Sequence, residues 1–152
     1  MSDILLEVNH LSTSFGIGPN KVNVVDDVSF AINKGETFVL LGESGSGKSI
    51  TAMSIMRLLP AAASINGGEI ILNGQNLLKL PERKMRAVRG SQVGMIFQEP
   101  QTSLNPVLTA GQQISETLQR HQGLSKQQCI KRSIELLDAV GIPEPDRRIN
   151  EY

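Results

Sequence analysis

The residues Gly42, Glu43, Ser44, Gly45, Ser46, Gly47, Lys48 and Ser49 have the types and the spacing to grip a chain of phosphates. Their pattern, G-x-x-x-x-G-K-S, is that of a P-loop, which needs a strand before it and a helix after it. The glycines let the backbone curl until successive N–H groups face one anion, and the positive end of the following helix adds to that field. Lys48 would bring a compact positive charge to the β- and γ-phosphates, and the Ser49 hydroxyl would ligate Mg²⁺. The pattern implies a nucleoside triphosphate as ligand.

The elements that must position this loop are legible on both sides of it. Residues 37–41, Thr-Phe-Val-Leu-Leu, form an unbroken apolar run, which predicts a strand covered on both faces as in a parallel sheet. Residues 50–59 read as a helix, mostly buried through Ile50, Met53, Ile55, Met56 and Leu59. Upstream, residues 4–8 and 22–32 alternate in hydropathy about the turn-rich 16–20, which predicts an antiparallel hairpin. Downstream, Asn66-Gly67-Gly68 reopens the chain, and residues 69–72 read as a strand closed by Asn73-Gly74. Residues 81–89 predict a short helix, with Pro81 in its first turn and Gly90 at its end. Residues 93–97 predict a second buried strand, ending at Gln98-Glu99-Pro100.

From Leu104 the periodicity turns helical. Ile114, Thr117 and Leu118 share one helical spacing, and Ile130, Ile134, Leu137 and Val140 form an apolar stripe. Ser125 suits the N-cap of that second helix and Gly141 its C′ position. The prediction is an α/β chain with a nucleotide-binding core over residues 1–100 and a helical layer over 101–152.

Composition narrows the function classes. The 152 residues carry 15 Lys plus Arg against 15 Asp plus Glu, so no global field draws the chain to nucleic acid or acidic lipid. The single Cys129 excludes an internal disulfide framework and suits a reducing compartment. Residues 1–9 lack the basic start and apolar run of a secretory signal, and the most apolar region, 53–63, is broken by Arg57 and Pro60. A cytoplasmic protein is expected, reaching a membrane only through partners.

Taken together, the N-terminal hairpin, the Gly42–Ser49 loop, the strand end Met95-Ile96-Phe97-Gln98-Glu99-Pro100 and the block Ser103-Leu104-Asn105-Pro106 resemble the ATP-binding subunits of ABC transporters. The likeness is strongest to the branch that powers dipeptide and oligopeptide importers, which Leu58-Leu59-Pro60 and Val88-Arg89-Gly90 also resemble. The resemblance implies ATP with Mg²⁺ at Gly42, Glu43, Ser44, Gly45, Ser46, Gly47, Lys48 and Ser49. It places Phe15 where the family sets an aromatic ring against adenine, although Phe15 reads equally as a core residue of the hairpin. Gln98 would be the Q-loop residue, touching Mg²⁺ and the attacking water. Ile50 stands where many members have Thr beside the α-phosphate. The implied partners are transmembrane permease subunits and a second ATP-binding subunit in a head-to-tail dimer, on the cytoplasmic face of the membrane. Leu104, Val107 and Leu108 are candidates for the permease contact, or else for packing between subdomains.

The family's later elements have no counterpart here. The resemblance calls for a Ser-Gly-Gly signature segment after a tyrosine like Tyr152, then an acid-ended buried strand, then a switch histidine. The stretches Val24-Val25-Asp26-Asp27 and Leu136-Leu137-Asp138 do not fit the acidic strand, and His10 and His121 read as surface residues. Mg²⁺ and the attacking water want carboxylates beside the phosphates, so this chain alone is expected not to turn ATP over. It reads as the front part of a P-loop ATPase, whose parallel sheet would be left with unpaired apolar edges. The alternatives are a non-hydrolysing nucleotide-binding fragment or partner of intact subunits, and a small P-loop kinase using Arg83, Arg86 and Arg89 as a phosphate clamp. Those arginines on a polar helix read more simply as a solvated face.

Overall fold

A computed structural model of the chain describes residues 3–99 and 103–152. Pro100, which closes the expected strand end, lies outside them, as do Met1, Ser2, Gln101 and Thr102. The backbone divides into two compact units, Met1–Met85 and Arg86–Tyr152.

The first unit is built on a four-stranded antiparallel sheet. Strand β1 (Ile4–Phe15) lies between β2 (Val22–Asn33) and β3 (Ala63–Leu72), and β3 turns back into the short β4 (Gln75–Asn76). The hairpin read from residues 4–8 and 22–32 is therefore present, and longer than its alternation shows. In β2 the pattern is strict where it is clearest: Val28, Phe30 and Ile32 turn inward while Asp27, Ser29 and Ala31 are exposed. Val8, Leu11, Val25, Ile70, Leu72, Leu77 and Met85 form the core. The Asn73-Gly74 turn is observed with both residues at positive φ, 49° and 77°, as a tight two-residue hairpin requires.

Two irregularities were hidden from the alternation. Asn66-Gly67-Gly68 does not interrupt the chain: it lies inside β3, because glycine is what the neighbouring strand needs there. The registers of β1 against β2 and against β3 both shift near His10. His10 and Asp27 take positive φ of 52° and 51°, and their side chains meet, Nδ1 to Oδ1, at 2.6 Å. Gly68, at φ +95°, faces this bulge so closely that a Cβ would stand 2.5 Å from the His10 carbonyl oxygen and 2.6 Å from that of Asn9. A bulge of this kind bends and twists the strands, re-aiming the halves beyond it.

Helix α1 (Lys48–Met56) follows the loop. It stops at Met56 rather than running to residue 59, since Arg57 adopts the left-handed conformation that closes a helix and Pro60 follows. Its buried face is led by Thr51, Ser54 and Met56, with Ile50, Met53 and Ile55 only partly covered. Arg57 donates to the carbonyls of Leu77 and Leu80 at 3.0 and 2.6 Å, tying the helix end to the chain after β4.

The two runs expected to be buried parallel strands are not. Residues 37–41 form no regular element and join no ladder among the described residues, and Val39 and Leu41 are 65% and 86% exposed. In 93–97 only Val93 makes a bridge, with Arg89, and Ile96 is 94% exposed. A strand is stable only when neighbours take up its N–H and C=O groups, and the described residues supply no such neighbours.

Helix α2 (Glu82–Val88) agrees with the short helix expected over 81–89, and Gly90 follows it at φ +84°. From Ala110 onward the second unit is mainly helical. Helices α3 (Ala110–Gln122) and α4 (Lys126–Ala139) each start with a capping box, Thr109 with Gln112 and Ser125 with Gln128. Ser125 and Gly141 occupy their expected places at the two ends of α4. The expected stripe on α4 is less buried than its spacing suggests. Cys129 and Ser133 are its fully covered residues, while Val140 is exposed and Ile130 and Ile134 line a cavity of about 530 Å³ with α3 and α5 (Pro145–Arg148). The chain end closes α3: Ala110 and Gly111 donate their N–H groups to the carbonyls of Glu151 and Ile149 at 2.9 and 2.8 Å. The Arg148 guanidinium, 2.6 Å from Glu151, holds that carboxyl below the usual range.

The crossing of Gly68 and the His10 bulge generates a stability test. Gly68→Ala meets backbone oxygens at a φ that side chains avoid, and should cost on the order of 2 kcal/mol or more. Gly74→Ala, with nothing within 4 Å of the added carbon, should cost about 1 kcal/mol from its left-handed φ alone. Urea unfolding of the two variants should rank them in that order.

Candidate nucleotide-binding loop

The loop is held at both ends by contacts with β2. On its entry side, Phe38 stacks on Phe30 of β2 with ring centroids 4.9 Å apart and planes 9° from parallel, anchoring the run at 37–41. The backbone then turns through Gly45 and Gly47, at φ +83° and +89°, with the Ser46 N–H donating to the Glu43 carbonyl at 3.2 Å. Glycine takes these angles without strain. At Gly47 a second demand is added, because a Cβ there would overlap the Val24 carbonyl oxygen of β2. The Gly47 carbonyl in turn accepts from both the N–H and the hydroxyl of Thr51, at 2.8 and 3.0 Å. The end of the loop is thus pinned between strand and helix.

Lys48 folds back over the loop. Its ammonium donates to the carbonyls of Gly42 and Glu43 at 2.6 and 2.7 Å and to Ser46 Oγ at 3.2 Å. All three partners are neutral oxygens, so the charge is steadied without being cancelled by a carboxylate. The start of α1 has the same character: Gly47 is its N-cap, no side chain caps it, and its first turn holds no acidic residue. Helices α3 and α4 fill those positions with capping boxes. Amides at a helix start, a lysine ammonium and an exposed glycine-rich turn together match the donor set that a polyphosphate accepts.

The remaining expected residues are placed as follows. Ser49 is exposed on the first turn of α1. A hydroxyl there suits a magnesium ion that keeps most of its ligands as water and phosphate oxygens. No group of three or more His, Cys, Asp or Glu able to hold a metal occurs among the described residues. Phe15 is partly buried at the end of β1, opposite Val22 and Ala63. Gln98 sits in an exposed bend of the second unit. His10 belongs to the bulge, and Asp138 is exposed on α4. Sequence reasoning missed three buried hydroxyls, Thr13 on β1 and Thr51 and Ser54 on α1. Their signal was present in the three-residue spacing of Thr51 and Ser54 on a helix otherwise read for its apolar residues.

The sequence profile of the family described as ABC transporter matches residues 25–152. The chain belongs to that family. It is 46% identical over 97% of its length to the oligopeptide transport ATP-binding protein OppD of Bacillus subtilis, and covers 42% of that protein. It is likewise 46% identical to a probable peptide ABC transporter ATP-binding protein of Sinorhizobium fredii, covering 45% of it. The chain therefore spans a little under half the length of these curated relatives. Among solved structures, an ATP-binding cassette captured as a dimer in a post-hydrolysis state with ADP and Pi aligns over 97% of this chain and 61% of its own, at 25% identity and a TM-score of 0.82. The fold is that of a partial ABC-type P-loop NTPase domain, with the antiparallel hairpin first and helices after the nucleotide core.

The close approach at Gly47 yields a sharp expectation. Gly47→Ala forces a left-handed residue against a strand carbonyl, and should lower stability by on the order of 2 kcal/mol. Thermal melts of the variant beside the unaltered chain should show that loss.

Proposed function

We propose that this chain binds ATP with Mg²⁺ as the ATP-binding component of a peptide-importing ABC transporter. The observation that carries the reading is the Lys48 ammonium held over the Gly42–Ser49 loop by neutral oxygens alone, beside an uncapped helix start. In the proposed complex the loop amides and Lys48 take the β- and γ-phosphates, and Ser49 and Gln98 share the magnesium ion. Phe15 stacks on the adenine. The names of the relatives, all peptide or oligopeptide transport ATP-binding proteins, support peptides as the cargo.

The proposed partners are permease subunits and a second ATP-binding subunit, the latter supported by the dimeric state of the solved cassettes. No helix of the described residues is long and apolar enough to cross a membrane. Membrane association on the cytoplasmic face would come through the permease. The functional division is proposed to fall near residue 100, with the permease-facing part following it. There Leu104 and Val107 are exposed on a loop that Gln113 organises, its side chain bonding the Asn105 N–H and carbonyl and the Leu108 carbonyl at 2.9 to 3.2 Å.

A second reading is nucleotide binding without turnover. General bases contribute roughly 10² to 10⁴ in rate, so a bound ATP with none beside it is hydrolysed slowly. In either reading Lys48→Ala should weaken ATP by at least about tenfold, the worth of charged hydrogen bonds lost from a phosphate. Equilibrium titration tests this, and an unchanged affinity would refute the loop assignment. A malachite-green phosphate assay with Mg²⁺ should detect no turnover above background; turnover that Lys48→Ala removes would refute the second reading.

A further inference from the structure

We propose that the buried hydroxyl pair Thr13–Ser54 is a positioning link that holds Phe15 at a fixed place relative to the phosphate loop. The inference rests on the reading of that loop and of Phe15 as the two ends of one ATP site. Thr13 and Ser54 have no exposed surface, and their Oγ atoms lie 3.0 Å apart although the residues are 41 apart in sequence. Ser54 Oγ also stands 2.7 Å from the Ile50 carbonyl, which accepts its single proton. At the Thr13–Ser54 contact Thr13 is therefore the donor and Ser54 the acceptor. Both hydroxyls are satisfied in one arrangement, so the contact sets direction as well as distance.

The pair closes a continuous path between the two proposed ends of the site. Gly47, the last glycine of the loop, is bonded through its carbonyl to Thr51. Ser54 lies three residues further along the same helix, and Thr13 joins it to β1. Phe15 is two residues beyond Thr13, on the same face of a strand whose pairing with β3 is regular from Thr13 to Phe15. A valine would fill the space of Thr13 equally well, and buried hydroxyls are costly unless bonded. What this pair contributes beyond packing is a fixed register of β1 on α1. A ligand gripped at two points gains from the second only when the two are spaced to its own length. Sliding β1 on α1 would move the ring without moving the loop.

The test is calorimetric titration of the 152-residue chain with Mg-ATP and, separately, with magnesium tripolyphosphate, which has the phosphates and no base. Thr13→Val should weaken ATP about fivefold, the equivalent of one net hydrogen bond, and leave tripolyphosphate unchanged. Ser54→Ala should show the same split from the other side of the contact, and Thr13→Ser should restore ATP affinity. Phe15→Ala should also weaken ATP alone, and adding Thr13→Val to it should cost nothing further. Parallel loss of both ligands would make the pair a general support of the loop and overturn the proposal, as would unchanged ATP affinity in folded Thr13→Val and Ser54→Ala chains. If the unaltered chain binds tripolyphosphate as tightly as ATP, the Phe15 reading fails while the loop reading stands. If it takes up neither, the loop reading itself fails, and the proposal with it.

Discussion

The meeting of Gly47 with the Val24 carbonyl sets most of the first unit. A strand edge and a helix start come together there with no side chain between them. That closeness lets the Gly47 carbonyl turn into α1, where it accepts from Thr51. The antiparallel hairpin has its place in this scheme as the wall that α1 rests against. The bulge at His10, Asp27 and Gly68 divides that wall into two lengths, the farther one carrying Thr13, Val24 and Val25, which meet α1 or its start. Glycine at 47 and at 68 thus answers the same need twice, main chain against main chain.

The apolar runs at 37–41 and 93–97 express a different constraint. A continuous apolar strand is a sequence written for two covered faces and two paired edges. Here the covering is partial: Phe38 lies on Phe30, while Val39, Leu41 and Ile96 face solvent. Burying an aliphatic side chain of this size is worth roughly 1.5 to 3 kcal/mol, so leaving three of them exposed is a substantial debit for a chain this small. The relatives are about twice as long, and the local pattern of these two segments is what a larger sheet would require.

Legibility in the sequence followed the range of the interactions. The Gly42–Ser49 loop, the hairpin, the Asn73-Gly74 turn and the caps at Ser125 and Gly141 depend on neighbours a few residues away, and could be read directly. The bulge could not: Gly67-Gly68 looks like a break until β1 is seen to pass against it. The strand readings at 37–41 and 93–97 had the right composition but needed pairing partners that no local pattern reveals. The polar contacts under α1 were obscured for a related reason. Thr51 and Ser54 fall on the buried face, while the apolar Ile50 and Met53 that marked the helix as buried are only partly covered.

The folded-back Lys48 shows how a glycine-rich turn steadies a cation with its own main chain. An ammonium over a glycine-rich turn would repel the helix start if left free, and would be neutralised if a carboxylate met it. Carbonyl oxygens of Gly42 and Glu43 do neither: they satisfy its protons while leaving its net charge in place. Exchanging those dipoles for phosphate oxygens replaces neutral acceptors by charged ones, which strengthens each bond roughly twofold. The loop's own backbone therefore holds the lysine in place, and on the proposed reading a phosphate would take over those bonds. On that reading, preorganisation of this kind would place the affinity in the charge of the ligand rather than in its base.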